Sequence, residues 1–273
     1  MTYNEVMQLA TRATTKYQHY GPLYDLVLES LPPDPTVLEI GVANGGSLQT
    51  WRNLLGPGAR IIGVDLNERA VAMRDEGFEI YVLDTGAPGS WAALRRDLAG
   101  AVDLLVDDGG HTNRQQVEAI VNGVDLVRDG GWIVIEDLHA SFMHEFGNPN
   151  PYSAVRFINE LTSDLHRSHP RSSEPPTHPH LARSIEYTIS STSWVALKVN
   201  RWAPATRDEL TAGTDDTLMD YDHRWDSSSV ARRVGAMLPR SVAKRVRDLG
   251  LRGAQVAEMR SLFRRDAAPP SPS

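Results

Sequence analysis

The chain has 273 residues, a formal net charge of −7 and no cysteine, which excludes disulfides and thiolate zinc sites. Its length suits one large domain with appendages. No apolar stretch approaches the length of a membrane-spanning helix, which is about 18 residues. Residues 1–9 lack the basic start and apolar core of a signal peptide, and the negative charge argues against whole-surface binding of nucleic acid, so we expect a cytoplasmic protein whose partners include neither membranes nor nucleic acids.

The N-terminal part of the chain predicts two helices ahead of the first strand. A short helical lead over 4–11 comes first, and a helix over 23–31 is then stopped by Pro32 and Pro33. The composition of the chain changes again after about residue 200. We therefore divide the chain into an N-terminal helical lead, a core and a C-terminal extension, at 1–35, 36–200 and 201–273.

A strand, a glycine-rich turn and a helix that begins at Ser47 follow over residues 37–48. Glu39, Gly41 and Gly45 form the pattern E-x-G-x-x-x-G, with Ala43 where a dinucleotide-binding turn would have its second glycine. Glu39 would repel a pyrophosphate but would suit a ligand with a cationic amine and sulfonium, and the glycines let the backbone approach that ligand. The pattern resembles the first motif of class I S-adenosylmethionine (SAM) methyltransferases.

The next two predicted strands each end in an aspartate. Residues 60–65 form the second strand, ended by Asp65, and residues 79–84 form the third, ended by Asp84. Asp65 is placed to accept hydrogen bonds from both ribose hydroxyls of SAM, and Asp84 to meet its adenine amino group. Each aspartate alone could simply cap the following helix. Acids at three successive strand ends, counted with Glu39, favour the cofactor role.

Apolar runs at 102–106 and 132–135 predict two buried parallel strands. The helix between them covers about 114–127 and is closed by a turn at 129–131. This is a strand–helix–strand unit, so both strands deliver the residues that follow them to the same edge of the sheet.

Acidic clusters follow both of these strands. They contain the residues Asp107, Asp108, Glu136 and Asp137, and His111 follows the first cluster. The carboxylates repel one another unless a cation lies between them, and a hard divalent ion with oxygen ligands is the natural occupant. The alternative is a set of helix-capping or solvated acids, but two clusters with a histidine at adjacent strand ends favour a functional site.

The remaining elements complete the predicted sheet. Residues 139–151 form a loop rich in Phe, Met and His, which we interpret as a substrate wall or lid because it follows the second acidic cluster. An amphipathic helix covers 153–166, and residues 168–180 are interpreted as a mobile loop because they are rich in Pro and Ser. A strand hairpin over 184–190 and 193–200 then gives seven strands, with the last one inserted antiparallel.

The C-terminal extension has a different character. It is first acidic and unpatterned, and then carries short amphipathic pieces with many arginines over 230–265. We expect these pieces to form helices that pack on their own domain or on a partner subunit, rather than on a membrane or nucleic acid.

Several motifs between residues 14 and 142 match one enzyme family. They are Lys16-Tyr17-Gln18-His19-Tyr20 with Tyr24, Glu39-Ile40-Gly41, Gly45-Gly46-Ser47-Leu48 with Trp51, Asp65, Asp107-Asp108-Gly109-Gly110-His111, and Ile135-Glu136-Asp137-Leu138. With them the chain resembles the metal-dependent sugar O-methyltransferases of macrolide and related antibiotic biosynthesis. It is most similar to the mycinamicin VI 2''-O-methyltransferase type, with cephalosporin hydroxylase-like proteins as further relatives. Family members often have Ser at the position of Gly110.

The resemblance implies roles for individual residues. It assigns Mg²⁺ binding to Asp108, Glu136 and Asp137, and the part of catalytic base to His111. The cofactor-binding residues that it implies are Tyr17, Tyr24, Glu39, Gly41, Gly45, Ser47, Asp65, Asp84, Asp107 and Asp108. It gives no role to His139, which we interpret as a loop histidine rather than a substrate contact.

The sequence thus predicts an α/β enzyme with the Rossmann-like fold of class I SAM methyltransferases, a mostly parallel seven-stranded sheet with helices on both faces and a helical C-terminal tail. We expect SAM- and Mg²⁺-dependent O-methylation, with Mn²⁺ as a substitute ion, of a sugar hydroxyl on a glycosylated natural product or nucleotide sugar. Two alternatives stay open, namely a catechol-type O-methyltransferase and a non-catalytic SAM-binding partner of an oxygenase. We also expect a homo-oligomer assembled through N-terminal or C-terminal helices.

Overall fold

Seven strands form one sheet in the computed structural model, which describes residues 1–87, 89–147 and 151–202. The strands are β1 (Thr36–Ile40), β2 (Arg60–Asp65), β3 (Glu79–Val82), β4 (Val102–Asp107), β5 (Val127–Ile135), β6 (Ile185–Ser191) and β7 (Trp194–Val199). Their order across the sheet is β3-β2-β1-β4-β5-β7-β6. All neighbours pair in parallel except β7, which lies antiparallel between β5 and β6. The predicted fold class and the hairpin insertion are confirmed.

Helices cover both faces of this sheet. The α-helices are α1 (Tyr3–Met7), α2 (Gly21–Leu28), α3 (Gly46–Leu55), α4 (Ser90–Leu98), α5 (Asn113–Leu126), α6 (Ala154–Arg167) and α7 (Pro179–Ser184). Short 3₁₀ helices are Gln18–Tyr20, Glu68–Glu76, Leu138–Phe142 and His144–Phe146. No helix among the described residues is long and apolar enough to cross a membrane.

Each face of the sheet has its own apolar core. Side chains from α4, α5, α6 and α7 pack on one face around Leu105, Ile133 and Val195. The opposite face is covered by α1, α2 and α3, and its core is aromatic. Its fully buried rings are Tyr3, Tyr20, Tyr24, Trp51 and Trp194. The N-terminal segment is therefore packed against the sheet on the aromatic face.

Four boundaries differ from the predicted ones, each for a local reason. The first helix ends at Met7, shortly after its Thr2–Glu5 capping box. Helix α2 begins at Gly21 because a proline in its first turn suits the start of a helix. Strand β3 ends at Val82, so Asp84 lies two residues beyond it. Helix α5 passes directly into β5 at Val127, so the turn with left-handed Gly130 lies inside the span of that strand and does not close the helix.

The predicted loop over 168–180 is shorter than expected, because its last two residues belong to α7, which begins at Pro179. The predicted helices of the C-terminal extension lie outside the described residues. The division at 1–35, 36–200 and 201–273 therefore stays a prediction.

Candidate active site

The carboxyl ends of β1, β4 and β5 meet at one edge of the sheet. Ile40 of β1 is in register with Asp107 of β4, and Asp107 with Ile135 of β5. Backbone hydrogen bonds continue this register, because Asp108 N donates to Ile40 O at 2.9 Å and Glu136 N donates to Asp107 O at 3.0 Å. The glycine-rich turn and both acidic clusters are therefore neighbours, and the two acidic clusters share one sheet edge as predicted.

Alternation along the strands decides which acids share a face. Successive side chains of a strand point to opposite faces, and Val37, Val106 and Val134 pack in the aromatic core. Two residues further along their strands come Glu39, Asp108 and Glu136, which are therefore directed to that same face. Asp107 points the other way and is buried, and the backbone N–H of Gly109 donates to its Oδ1 at 3.3 Å. Burial raises the pKa of Asp107 to about 7, against the effect of that hydrogen bond.

Asp108, His111 and Asp137 form a partly exposed group. Each offers one ligand atom, and these atoms lie within 4.8 Å of one another. His111 Nε2 is 3.6 Å from Asp137 Oδ2, and Tyr20 Oη donates to Asp137 Oδ1 at 3.0 Å. These three residues are the predicted base and two of the three predicted metal ligands.

Glu136, the third predicted metal ligand, is nearly fully buried and already has two partners. Lys16 Nζ donates to its Oε1 at 3.0 Å and its Oε2 at 2.9 Å, and the hydroxyl of Tyr24 donates to Oε1. The same ammonium is 2.5 Å from Asp108 Oδ2 and 3.8 Å from Glu39 Oε1. Lys16 thus lies among three carboxylates from three strand ends, with 2% of its side chain exposed.

The charges in this cluster affect one another strongly. Burial opposes the charge of Lys16, but Glu136, Asp108 and Glu39 outweigh that effect and hold its pKa well above the usual value. Burial raises the pKa of Glu136 to about 8 and that of Glu39 to about 7, while Lys16 lowers both. The acids outnumber the single ammonium, so the cluster favours a further cation.

Sequence reasoning assigned Lys16 no role beyond its place in a matching motif. The signal that was available is charge balance, because acids gathered at buried strand ends require a nearby cation. Sequence spacing did not show which cation it is, since Lys16 is distant along the chain from Glu39, Asp108 and Glu136.

Glu39 stabilises the glycine-rich turn through hydrogen bonds to the helix that follows it. Its Oε2 accepts hydrogen bonds from Ser47 Oγ at 2.8 Å and Trp51 Nε1 at 3.0 Å, both in the first turns of α3. Gly41 and Gly45 have φ of +96° and +84°, which favours glycine. A Cβ at Gly41 would lie 2.2 Å from Asp108 O, so this glycine also lets the two site loops approach each other.

Asp65 stabilises the same turn by accepting hydrogen bonds from its backbone. Its Oδ2 accepts hydrogen bonds from Val42 N at 2.8 Å and Ala43 N at 3.0 Å, and its Oδ1 accepts one from Asn67 N at 2.8 Å. Asp84 accepts a hydrogen bond from Gly86 N at 2.8 Å. Both aspartates therefore have local backbone partners, and their predicted contacts with SAM stay predictions.

One cavity of about 550 Å³ joins the turn to the acidic cluster. Its lining residues are Ala13, Thr14, Thr15, Lys16, Tyr17, Tyr20, Gly41, Val42, Ala43, Asn44, Gly46, Ser47, Asp108, Gly109, His111, Glu136 and Asp137. Among the predicted cofactor residues, Tyr17, Gly41, Ser47 and Asp108 line this cavity. The remaining predicted cofactor residues do not line the cavity, and their contacts with SAM stay predictions: Tyr24, Glu39, Gly45, Asp65, Asp84 and Asp107.

Backbone strain is concentrated at this cavity. Ala43, His111 and Asp137 have left-handed backbones, with φ of 46°, 53° and 53°. Non-glycine residues rarely adopt this conformation, and it persists where the surrounding structure requires it, most often at functional sites.

The loop after Asp137 approaches the site through Phe146, whose ring centroid is 6.5 Å from that of His111. His139 does not line the cavity: its Nδ1 is 2.5 Å from Ser193 Oγ in the β6–β7 turn, and its ring centroid is 5.9 Å from that of Tyr17. The role of this loop as a substrate wall or lid stays a prediction.

Comparisons with known proteins show similarity to methyltransferases. Residues 38–138 match a family model described as a methyltransferase domain. The chain is 30% identical over 161 residues to 8-demethyl-8-alpha-L-rhamnosyl tetracenomycin-C 2'-O-methyltransferase of Streptomyces olivaceus, covering 55% of this chain and 40% of that protein. It is 29% identical over 121 residues to mycinamicin VI 2''-O-methyltransferase of Micromonospora griseorubida, covering 41% and 29%.

A solved structure has the same fold. It is the MycE methyltransferase of mycinamycin biosynthesis in complex with Mg, SAH and mycinamycin VI, with a TM-score of 0.63 at 22% identity over 73% of this chain and 53% of that one. The chain spans less than half the length of the two curated relatives described above. Within that span, residues 38–138 match the methyltransferase domain model, and the chain is similar in sequence to sugar O-methyltransferases of antibiotic pathways.

Proposed function

We propose that this protein is a SAM- and Mg²⁺-dependent O-methyltransferase that acts on a sugar hydroxyl of a glycosylated natural product or nucleotide sugar. The observation that carries the proposal is the single cavity lined both by the glycine-rich turn and by Asp108, His111 and Asp137. The acceptor class is supported by the relatives, whose names describe O-methylation of a rhamnosyl tetracenomycin and of mycinamicin VI.

The turn suits SAM in its charge pattern. The N-terminus of α3 at Gly46 and Ser47 lines the cavity, and the positive end of a helix favours the carboxylate of the methionine moiety. The acids nearby suit the ammonium and sulfonium groups. Gly41 and Ser47 would hold this part of SAM, and Asp65 is the proposed acceptor for the ribose hydroxyls. When bound, SAM supplies an electrophilic methyl group.

The acids suit Mg²⁺ in their donor chemistry. Asp108 and Asp137 present carboxylate oxygens with 23% and 25% of their side chains exposed, and Mg²⁺ prefers oxygen ligands and retains sites for water and substrate. Glu136 lines the same cavity but is held by Lys16 and Tyr24. These three acids would hold the ion, which when bound lowers the pKa of a chelated hydroxyl and fixes its orientation.

His111 is placed to accept the proton of the acceptor hydroxyl. It lines the cavity, and its Nε2 is 3.6 Å from Asp137 Oδ2, which is too long for a hydrogen bond and leaves that nitrogen available. Histidine is the side chain that most often serves as a general base in enzymes. The rest of the site acts by holding the oxygen in line with the methyl group and sulfur, which accounts for much of the rate in reactions of this kind.

The proposal is tested with SAM labelled on its methyl group and a panel of acceptors. The panel contains nucleotide sugars, glycosylated macrolides, a rhamnosylated aromatic polyketide and catechol, each with Mg²⁺ and with EDTA. We expect transfer to a sugar hydroxyl that EDTA abolishes and Mg²⁺ or Mn²⁺ restores, with the His111→Ala protein as the inactive control. Transfer to catechol alone would favour the catechol-type enzyme, and SAM binding without transfer would favour a partner of an oxygenase. Full activity in EDTA would contradict the metal requirement.

A further inference from the structure

Lys16 is a buried cation at the place where the proposed function requires a metal ion. Its ammonium lies 2.5 Å from Asp108 Oδ2 and 2.9 Å from Glu136 Oε2, and both residues are proposed metal ligands. The hydroxyl of Tyr24 also donates a hydrogen bond to the Glu136 carboxylate. A divalent ion bound by the same oxygens would have to share them with Lys16 or displace it.

The chain holds Lys16 in this position from both sides. Before it, the backbone N–H groups of Thr11 and Arg12 donate to Gln49 Oε1 on α3, each at 3.0 Å. The same segment packs on Gly46, where a Cβ would lie 2.5 Å from Arg12 O. After it, Tyr20 Oη donates to Asp137 Oδ1 at 3.0 Å. Lys16 is thus fixed between two anchored segments, unlike a lysine that happens to reach the acids from a mobile surface.

We propose that Lys16 is a positioning residue that acts as an internal placeholder for the divalent ion. It keeps the carboxylates of Asp108 and Glu136 together in the absence of metal, and it competes with the metal for their oxygens. The affinity of the protein for a free divalent ion is therefore held low, and tight binding waits for the two oxygens that the acceptor contributes. This inference rests on the proposed function, because it requires that the acidic cluster binds a metal ion.

A purely structural role for Lys16 predicts the opposite sign. If the lysine only supported the fold, its removal would loosen the acids and weaken metal binding. If it is a competing cation, its removal strengthens metal binding. The Lys16 ammonium and a divalent ion bound to the same carboxylates would repel each other strongly in a buried site. The measured change in metal affinity therefore separates the two roles.

The test is a titration of the full chain with Mn²⁺ in the absence of acceptor, in which electron paramagnetic resonance measures the free ion. Native protein is compared with Lys16→Met, which removes the charge but keeps the length of the side chain. We expect Lys16→Met to bind Mn²⁺ on the order of tenfold more tightly. Its melting temperature should fall in EDTA and rise more steeply with added Mn²⁺ than that of the native protein, because the ion replaces the lost ammonium.

Arg12→Met is the matched control. It removes one positive charge from the same segment, but Arg12 pairs with Glu76 at the surface with 42% of its side chain exposed. Its Mn²⁺ affinity should stay within about twofold of native, since solvent and salt screen exposed charges. An equal effect of both variants would show that net charge alone is responsible and would overturn the inference.

A second pair keeps the test decisive if Lys16→Met does not fold. Lys16→Met with Glu136→Gln removes one charge of each sign and is compared with Glu136→Gln alone. The double variant should bind Mn²⁺ more tightly than the single one. Equal or weaker binding in either comparison would overturn the placeholder role, while the metal site itself would stand if native protein binds Mn²⁺. Absence of Mn²⁺ binding in every variant would overturn both this inference and the metal part of the proposed function.

Discussion

His111 occupies a strained backbone position that directs its ring into the cavity. His111→Ala should lose about 10²–10⁴-fold in turnover, which is typical for removal of a general base, while SAM affinity stays near native. The loss should shrink as pH rises, because hydroxide partly replaces the missing base. Turnover measured across pH, with calorimetry of SAM binding, checks this expectation.

His139→Ala is the control for that measurement. His139 is the neighbouring histidine on the other side of Asp137, but it bonds to Ser193 in the β6–β7 turn. Its replacement should change turnover much less than that of His111. If the two variants showed the reverse order, the base would be His139.

Asp107 and Asp108 are adjacent in sequence but differ in environment. Asp108 shares its face with Glu136 and lines the cavity, whereas Asp107 is buried on the other face. Asp108→Asn should weaken Mn²⁺ binding by at least about tenfold, because it removes a charged ligand. Asp107→Asn should leave that affinity nearly unchanged. If a Mn²⁺ titration showed equal losses of affinity for both variants, the conclusion that Asp108 binds the metal and Asp107 does not would be refuted.

At the scale of elements, Asp164 joins α6 to the segment that leads into α7. The carboxylate is fully buried and accepts hydrogen bonds from Thr177 N and His178 N, each at 2.7 Å, and from Arg167 Nη1 at 2.9 Å. Burial alone would raise the pKa of Asp164, but these donors outweigh it and lower the pKa to about 2. The segment at 168–180 is therefore anchored at its end, which its Pro- and Ser-rich composition did not indicate.

The lowered pKa gives Asp164 a defined effect on stability. Because the folded pKa of about 2 lies below the unfolded value of about 4, the ionised form stabilises the fold above about pH 4, and this contribution is lost as pH falls toward about 2. Asp164→Asn should lower the free energy of unfolding by about 2–3 kcal/mol at pH 7. The difference from native should nearly vanish at pH 2. Urea unfolding at the two pH values measures it.

The exposed Asp75→Asn is the matched control, and it should change stability by less than about 0.5 kcal/mol. A loss for Asp164→Asn that persisted unchanged at pH 2 would show that packing is responsible, rather than the charge of the carboxylate.

At the scale of the whole molecule, the sequence predicted the sheet more fully than it predicted the site. Apolar runs with acids at their ends identified the parallel strands and the edge where those acids meet, because strand length and turn residues are local properties. The position of Lys16 depends on how the N-terminal segment crosses the aromatic face of the finished sheet. The bonds of Asp65 and Glu39 to the glycine-rich turn likewise depend on loops that have no periodic pattern.

The packing of the N-terminal lead on the aromatic face of the sheet can be tested by asking whether the lead and the sheet unfold together. Tyr3 is fully buried, and its ring stacks on Tyr24 with centroids 4.5 Å apart. Trp51 also contacts Tyr3 at a centroid distance of 5.3 Å. Because Tyr24 donates to Glu136, the packing of the first helix also supports the acidic site.

Tyr3→Ala should therefore lower the free energy of unfolding by about 3–5 kcal/mol, as for other large buried aromatic residues. Leu9→Ala, with 55% of that side chain exposed, should change it by less than about 0.5 kcal/mol. Urea unfolding followed by both circular dichroism and tryptophan fluorescence should give one coincident transition for each protein. A Tyr3→Ala protein as stable as Leu9→Ala, or a separate early fluorescence transition in the native protein, would show that residues 1–35 unfold independently of the sheet.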